Sequence, residues 1–316
     1  MNLFDTTLLG AVAAGMLRSA TPVVYAGLGE IVYERSGVFN LGIEGLMLIG
    51  ACAATAAQLA WGSWILSLTA AGFTGGVFGL GHAFFCVKLR TSQVVTGLAL
   101  FFLCQGLTAV LGVSLVGRPV VIDIQPPFAW LKAVYGFGPV FAEQDVMVFG
   151  AIITVAVVWF LLFRTRWGIV LRACGESAES AAAAGVAVHK VRLVAGAVGG
   201  MLGGLGGAHF SLFYAQQWQE NMIAGRGWIA LVMVIFGMWF PGRLLLGAYL
   251  FGALSTLQLN LQARGISSSQ YLLAMIPFAV TLAMLVVASW RLKHRAGYAP
   301  ADLGNSYPVQ EDSRVA

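Results

Sequence analysis

Nine apolar runs, each near the length that crosses a bilayer, follow one another with only short polar breaks between them. They lie near 8–32, 45–62, 64–87, 94–116, 145–163, 192–215, 223–240, 243–262 and 270–290. A span needs about 20 mostly apolar residues. In lipid the backbone must satisfy its own hydrogen bonds, so the pattern predicts an all-α polytopic bundle of about nine transmembrane helices. The chain is 59% hydrophobic and 10% charged, against roughly 25% charge in a soluble domain. Arg18 interrupts the first run, where it either snorkels or marks an interfacial stretch. The excess of Lys and Arg sets orientation in such a chain and does not imply nucleic acid.

Three basic segments fall on one side of a nine-span reading: Lys88 with Arg90, the stretch 164–192, and Arg291 with Lys293, His294 and Arg295. Basic loops face the cytoplasm. This places the N-terminus outside and the C-terminus inside. A transmembrane domain then covers 1–295. Its external loop is 117–144, where Pro119, Pro126, Pro127 and Pro139 suit an ordered non-helical cap. Residues 296–316 read as a flexible cytoplasmic tail. No basic region precedes the first apolar run, so a cleavable signal peptide is not expected.

The central stretch from Arg164 to Arg192 is the longest polar break within the apolar part of the chain. Its middle predicts a short solvated helix. Glu176 and Glu179 complement the dipole of a first turn. Ser177 or Gly175 supplies the cap. Ala181 to Ala184 are strong helix formers. Gly185 ends the helix in the left-handed conformation. On pattern alone, a charged connector fits equally well.

Glycines recur at helix-face spacings in Gly72, Gly75, Gly76 and Gly79, and more densely from Gly199 to Gly207. Small residues four apart let membrane helices approach closely. Two polar breaks stand apart from this packing pattern: Tyr33–Gly45 and Ala215–Trp228. With the first near the inner face and the second near the outer face, they fit an inverted repeat, and paired breaks point to a transport path. Asn40, Glu44, Gln217 and Asn221 are the candidate path residues. Intramembrane ionisable groups usually face a cavity or a partner. Glu44 fits a second role as well, bonding the amides of a broken helix.

Autonomous chemistry is not visible. No Gly-Lys dipeptide occurs, so there is no Walker A loop. His82, His189, His209 and His294 have no ligand spacing, and no metal site is expected. Ser36 is not in a nucleophile elbow. Cys52, Cys86, Cys104 and Cys174 match neither a disulfide framework nor a zinc site.

Residues 20–51, ATPVVYAGLGEIVYERSGVFNLGIEGLMLIGA, resemble the opening of ABC-importer permeases for nucleosides, in the group that includes ribose and branched-chain amino acid permeases. The stretch GIVLRACGES at 168–177, with AAAAGV at 181–186, is similar to that group's cytoplasmic coupling segment. AGRGWIAL at 224–231 and VIFG at 234–237 resemble its second-half signature. The likeness runs from about Thr21 to Trp290. It departs at Ser177-Ala178, where the group's pattern leads one to expect Asn-Pro.

The resemblance implies a division of labour. This chain, similar to the shorter permease of a heterodimer, would give a nucleoside-like solute its path across a bacterial inner membrane. A longer permease, separate ATP-binding subunits and an external substrate-binding lipoprotein or periplasmic protein would be its partners. It would bind no cofactor itself, with ATP and Mg held by the ATPase subunits. Gly175, Glu176, Ser177, Glu179, Ala182, Ala183 and Gly185 would form the segment that docks on the ATPase. Two alternatives stay open: an ABC permease for a purine base or a sugar, and an ion-coupled secondary transporter using Glu30, Glu34 or Glu44.

Overall fold

The structure is a computed structural model. It describes residues 6–122, 126–130, 134, 138–263, 270–294 and 299–305. Among these residues twelve α-helices follow in order: α1 (Thr6–Arg35), α2 (Ile43–Trp61), α3 (Trp64–Lys88), α4 (Gln93–Leu111), α5 (Gly138–Ala142), α6 (Val146–Arg164), α7 (Arg166–Glu176), α8 (Ala178–Ala183), α9 (Val188–His209), α10 (Arg226–Phe236), α11 (Pro241–Ala263) and α12 (Gln270–His294). A π-helical turn, Phe210–Tyr214, prolongs α9. Local chemistry sets several ends. Gly62 takes φ +63° and closes α2 with its amide on the Gln58 carbonyl. Asp145 caps α6 by accepting from the Met147 and Val148 amides.

Among the described residues, six helices are long and apolar enough to cross a membrane: α2, α3, α4, α6, the continuous helix Val188–Tyr214, and α11. This corrects the expected nine-span inverted-repeat bundle to a polytopic all-α protein with about six long apolar helices. The physical reasons lie in the other runs. Helix α1 is 30 residues long but carries Arg18, Glu30, Glu34 and Arg35. Helix α10 has 11 residues, or about 16 Å at 1.5 Å per residue, half of a hydrocarbon core of about 30 Å. Helix α12 is 25 residues long, and the part of it that falls wholly among the described side chains is Met275–Val286.

Helix α9 is the centre of the packing, with α1, α2 and α3 around it. Its glycines let backbones touch. A Cβ on Gly79 would lie 2.7 Å from the Gly200 Cα, and one on Gly75 2.9 Å from the Gly204 Cα. Side-chain-free contact of this kind is how small residues bring membrane helices together.

The bundle has two distinct ends. At one, Gln93 bonds the Phe39 amide and Arg35 reaches the Trp239 carbonyl. At the other, Arg18 bonds the Glu143 carbonyl, Gln58 bonds the Val121 carbonyl, and Pro119 pairs with Gln217. Most of the expected tail, 296–316, lies outside the described residues. Residues 299–305 lie at the first end, where the Gln93 side chain donates to the Asn305 carbonyl.

Candidate functional site

The first end is built from the central charged stretch. Thr165 caps α7 through the Gly168 amide. Helix α7 runs through Glu176 and breaks at Ser177, whose hydroxyl accepts from the Ser180 amide and so starts α8. Gly185 takes φ +84°, where a side chain would be strained. One face of this pair is apolar: Cys174, Ala178, Ala181 and Val188 form a small buried cluster. Burial pushes the Cys174 thiol up, with the nearby Arg192 charge opposing it. The other face carries Glu176, Glu179, Ser180, Ala183, Ala184 and Gly185 in the open. Of the expected coupling residues, Glu176, Glu179, Ala183 and Gly185 are exposed, while Ser177 and Ala182 are half-buried. Gly175 is buried against the Arg35 carbonyl.

Arg192 fastens this element to the bundle. Its side chain is 2% exposed. It donates to the Ser36 carbonyl at 3.0 Å, to the Cys174 carbonyl at 3.1 Å and to the Asp302 carboxylate at 2.8 Å. The Asp302 amide in turn bonds the Gly175 carbonyl at 2.9 Å. One guanidinium thus ties together the end of α1, the end of α7 and the C-terminal segment. A charged group stays inside protein only when its donors are used in this way.

The two polar breaks meet within the bundle. Glu44, 2% exposed at the start of α2, accepts from the Gly225 amide at 2.7 Å with one oxygen and from the Gly227 amide at 2.6 Å with the other. It therefore caps α10 from a different helix, as a carboxylate at a helix N-terminus is favoured to do. Asn40 is buried beside it in sequence. Its amide bonds Glu30 and its side chain accepts from Gly42. Glu34 accepts from the indole of Trp239. Glu30 Oε2, Glu34 Oε1, Arg35 Nε and Asn40 Nδ2 are buried atoms with no partner among the described residues. Such atoms are rare in protein interiors, and their concentration in one stretch marks a polar interior. Gln217 and Asn221 are elsewhere, exposed on the loop before α10. The four candidate path residues are therefore not one cluster: Asn40 and Glu44 are interior, Gln217 and Asn221 peripheral.

Sequence reasoning missed Arg192, Asp302, Trp239 and the glycine pair. Arg192 counted only as loop charge. The pair Gly225 and Gly227 had a readable signal, since two glycines at a helix start offer bare amides to an anion.

Glu44 yields a direct expectation. Glu44→Gln keeps one acceptor oxygen and turns an NH2 toward the other amide, so one buried donor loses its partner at about 1–3 kcal/mol. Glu44→Leu loses both. The melting temperature of the purified protein should fall in the order parent, Gln, Leu. Equal melting of all three would remove the cap from the account of this site.

The comparisons agree on the kind of protein. The family model for the branched-chain amino acid transport system / permease component matches residues 12–290. A protein of Haloferax volcanii, provisionally named a glucose ABC transporter permease protein, is 34% identical over 95% of this chain and 99% of its own length. The guanosine ABC transporter permease protein NupQ of Bacillus subtilis is 32% identical over 80% of this chain and 83% of its own. The nucleoside ABC transporter permease protein NupC of Lactococcus lactis is 31% identical over 91% and 94%. No solved structure matches. With the family model covering nearly the whole bundle, and the charged helix pair and polar breaks inside the matched region, the chain belongs to the branched-chain amino acid transport system permease family and is a permease subunit of an ABC importer of the nucleoside, sugar and amino acid group.

Proposed function

We propose that this subunit gives a nucleoside-like solute its path across the cytoplasmic (inner) membrane, with ATP hydrolysed by separate subunits docked on the α7–α8 face. The observation that carries the coupling role is the geometry of that face. Six small or acidic residues stand exposed, on an element that Arg192 and Asp302 fasten to α1 and α9. A push on a short helix held this way moves the attached helices as rigid bodies. Asn40 and Glu44 belong to the interior part of the path and Gln217 and Asn221 to its approach. A longer permease subunit and an external binding protein complete the importer in this reading. Relatives named for guanosine and nucleoside support the solute class. The relative named for glucose supports a second reading, a sugar.

The test is uptake by vesicles carrying the whole importer. ATP-dependent entry of labelled guanosine, unaffected by excess glucose, is the expected result. Entry of glucose alone would replace the first reading by the second.

Orientation follows from the basic end. Arg35, Lys88, Arg90 and the stretch 164–192 gather there with residues 299–305, and basic ends face the cytoplasm. Cysteines at Ser177 and Ala301 should react with an impermeant reagent only from the cytoplasmic side, and one at Ala129 only from outside. Labelling of Ala129→Cys from the cytoplasm would reverse the assignment.

A further inference from the structure

At the end opposite the α7–α8 face lies a polar cavity of about 180 Å³, lined by Arg18, Ile122, Pro126, Glu143, Asp145, Phe213 and Gln216. We propose that it is a hydroxyl-binding site, taking the sugar part or other vicinal-diol part of a neutral solute as it enters or leaves the bundle. The proposal rests on the transport reading above and adds residues and a chemical class to it.

The site is held in place from three directions. Asp145 uses one oxygen to cap α6 through the Met147 and Val148 amides. Its other oxygen faces the His209 Nε2 at 3.3 Å, and His209 is fully buried. Burial alone would raise the Asp145 carboxyl, but His209, the Val148 amide and Arg18 together hold it below the usual carboxylate range. Asp145 therefore presents a fixed negative charge. Arg18 uses one donor on the Glu143 carbonyl at 2.9 Å, out of the five a guanidinium carries. The π-helical turn sets Phe213, whose ring stacks on the imidazole of His209 at 5.9 Å between centroids. Single π turns in α-helices recur at functional sites.

The chemistry selects the ligand. Carboxylates only accept, guanidinium only donates, and the Gln216 amide does both. A hydroxyl also does both, so neighbouring hydroxyls can answer all three. One guanidinium, Arg18, faces two carboxylates, Glu143 and Asp145, across the lining, so the cavity disfavours an anionic solute and suits a neutral one with several hydroxyls. Phe213 offers an apolar face to the carbon side of a sugar ring. Water occupies about 30 Å³ in the liquid, so the cavity holds the equivalent of roughly six waters, room for one small ring with its hydroxyls.

The experiment uses the complete importer in vesicles, with its binding protein saturated so that delivery is equal for each probe. Four probes are compared: a nucleoside, its 2′,3′-dideoxy form, a hexose and its 2-deoxy form. The variants are Asp145→Asn, which retains a helix cap, and Arg18→Gln. The parent should move the fully hydroxylated member of a pair faster. Asp145→Asn should reduce that preference, read as the ratio of the two rates within each pair, about tenfold, the value of one charge-assisted hydrogen bond. Arg18→Gln should act in the same direction. An unchanged preference in both variants, with normal assembly, overturns the site and leaves the transport reading standing. Failure of the parent importer to move any probe with ATP overturns the transport reading and the site together.

Discussion

Ala183→Arg is expected to leave the permease folded and to abolish uptake. Ala183 stands exposed at the end of α8, so a long side chain there clashes with nothing inside this chain and lies beside the exposed Glu179 one turn back. In the proposed complex it meets the ATPase surface. A guanidinium forced into a close-packed groove loses several kcal/mol of solvation, more than an exposed i,i+4 pair with Glu179 returns, and about 2.7 kcal/mol already amounts to a hundredfold loss of binding. The ATPase should no longer co-purify with the variant, while expression and melting of the permease stay at parent level. Ala178→Arg makes the contrast. Ala178 is buried, so that variant should fail at folding instead. Normal co-purification and normal uptake of Ala183→Arg would sink the docking role of α8.

The largest effect on stability should come from Arg192→Met. The substitution keeps much of the apolar stem but strips the Ser36 and Cys174 carbonyls and the Asp302 carboxylate of their donor. Removing one partner of a buried charge pair costs about 3–5 kcal/mol, a drop on the order of 10 °C in melting temperature for a domain of this size. Asp302→Asn should cost far less, because Asp302 is 23% exposed and an amide oxygen still accepts. The double variant should melt close to Arg192→Met, since the second change removes an interaction already lost. A melting temperature of Arg192→Met equal to the parent's would show that this guanidinium does not fasten the α7–α8 face.

Much of the local structure was legible. The run read at 64–87 is helix Trp64–Lys88, because an apolar stretch in lipid has little choice but to be helical. Ser177 caps α8 and Gly185 takes the left-handed conformation after it, with Glu179 in the first turn, but Glu176, read into that same turn, ends α7 instead. What could not be read was whether a helix spans. Apolarity around 223–240 looks like a crossing, yet only Arg226–Phe236 is helical, since the stretch before it spends its residues on a loop. The site was harder for a different reason. Glu44 and Gly225 are 181 residues apart, and nothing local in either break names the other. Arg192 sits one residue inside an apolar run, where a sequence cannot say whether a guanidinium turns to water or inward. Asp302 lies in a polar tail whose composition reads as unstructured, and only its partner makes it part of the site.

The Arg192–Asp302 pair also imposes an order on biosynthesis. The two residues are 110 positions apart, so Asp302 is made well after Arg192. At about 5–20 residues per second, the guanidinium waits roughly 5–20 s after its own synthesis for its counter-ion. Until then the end of α7 is tied to the Ser36 loop by carbonyls alone. The α7–α8 face is therefore fastened only once residue 302 has been made, so a product truncated before it carries that face without its clasp.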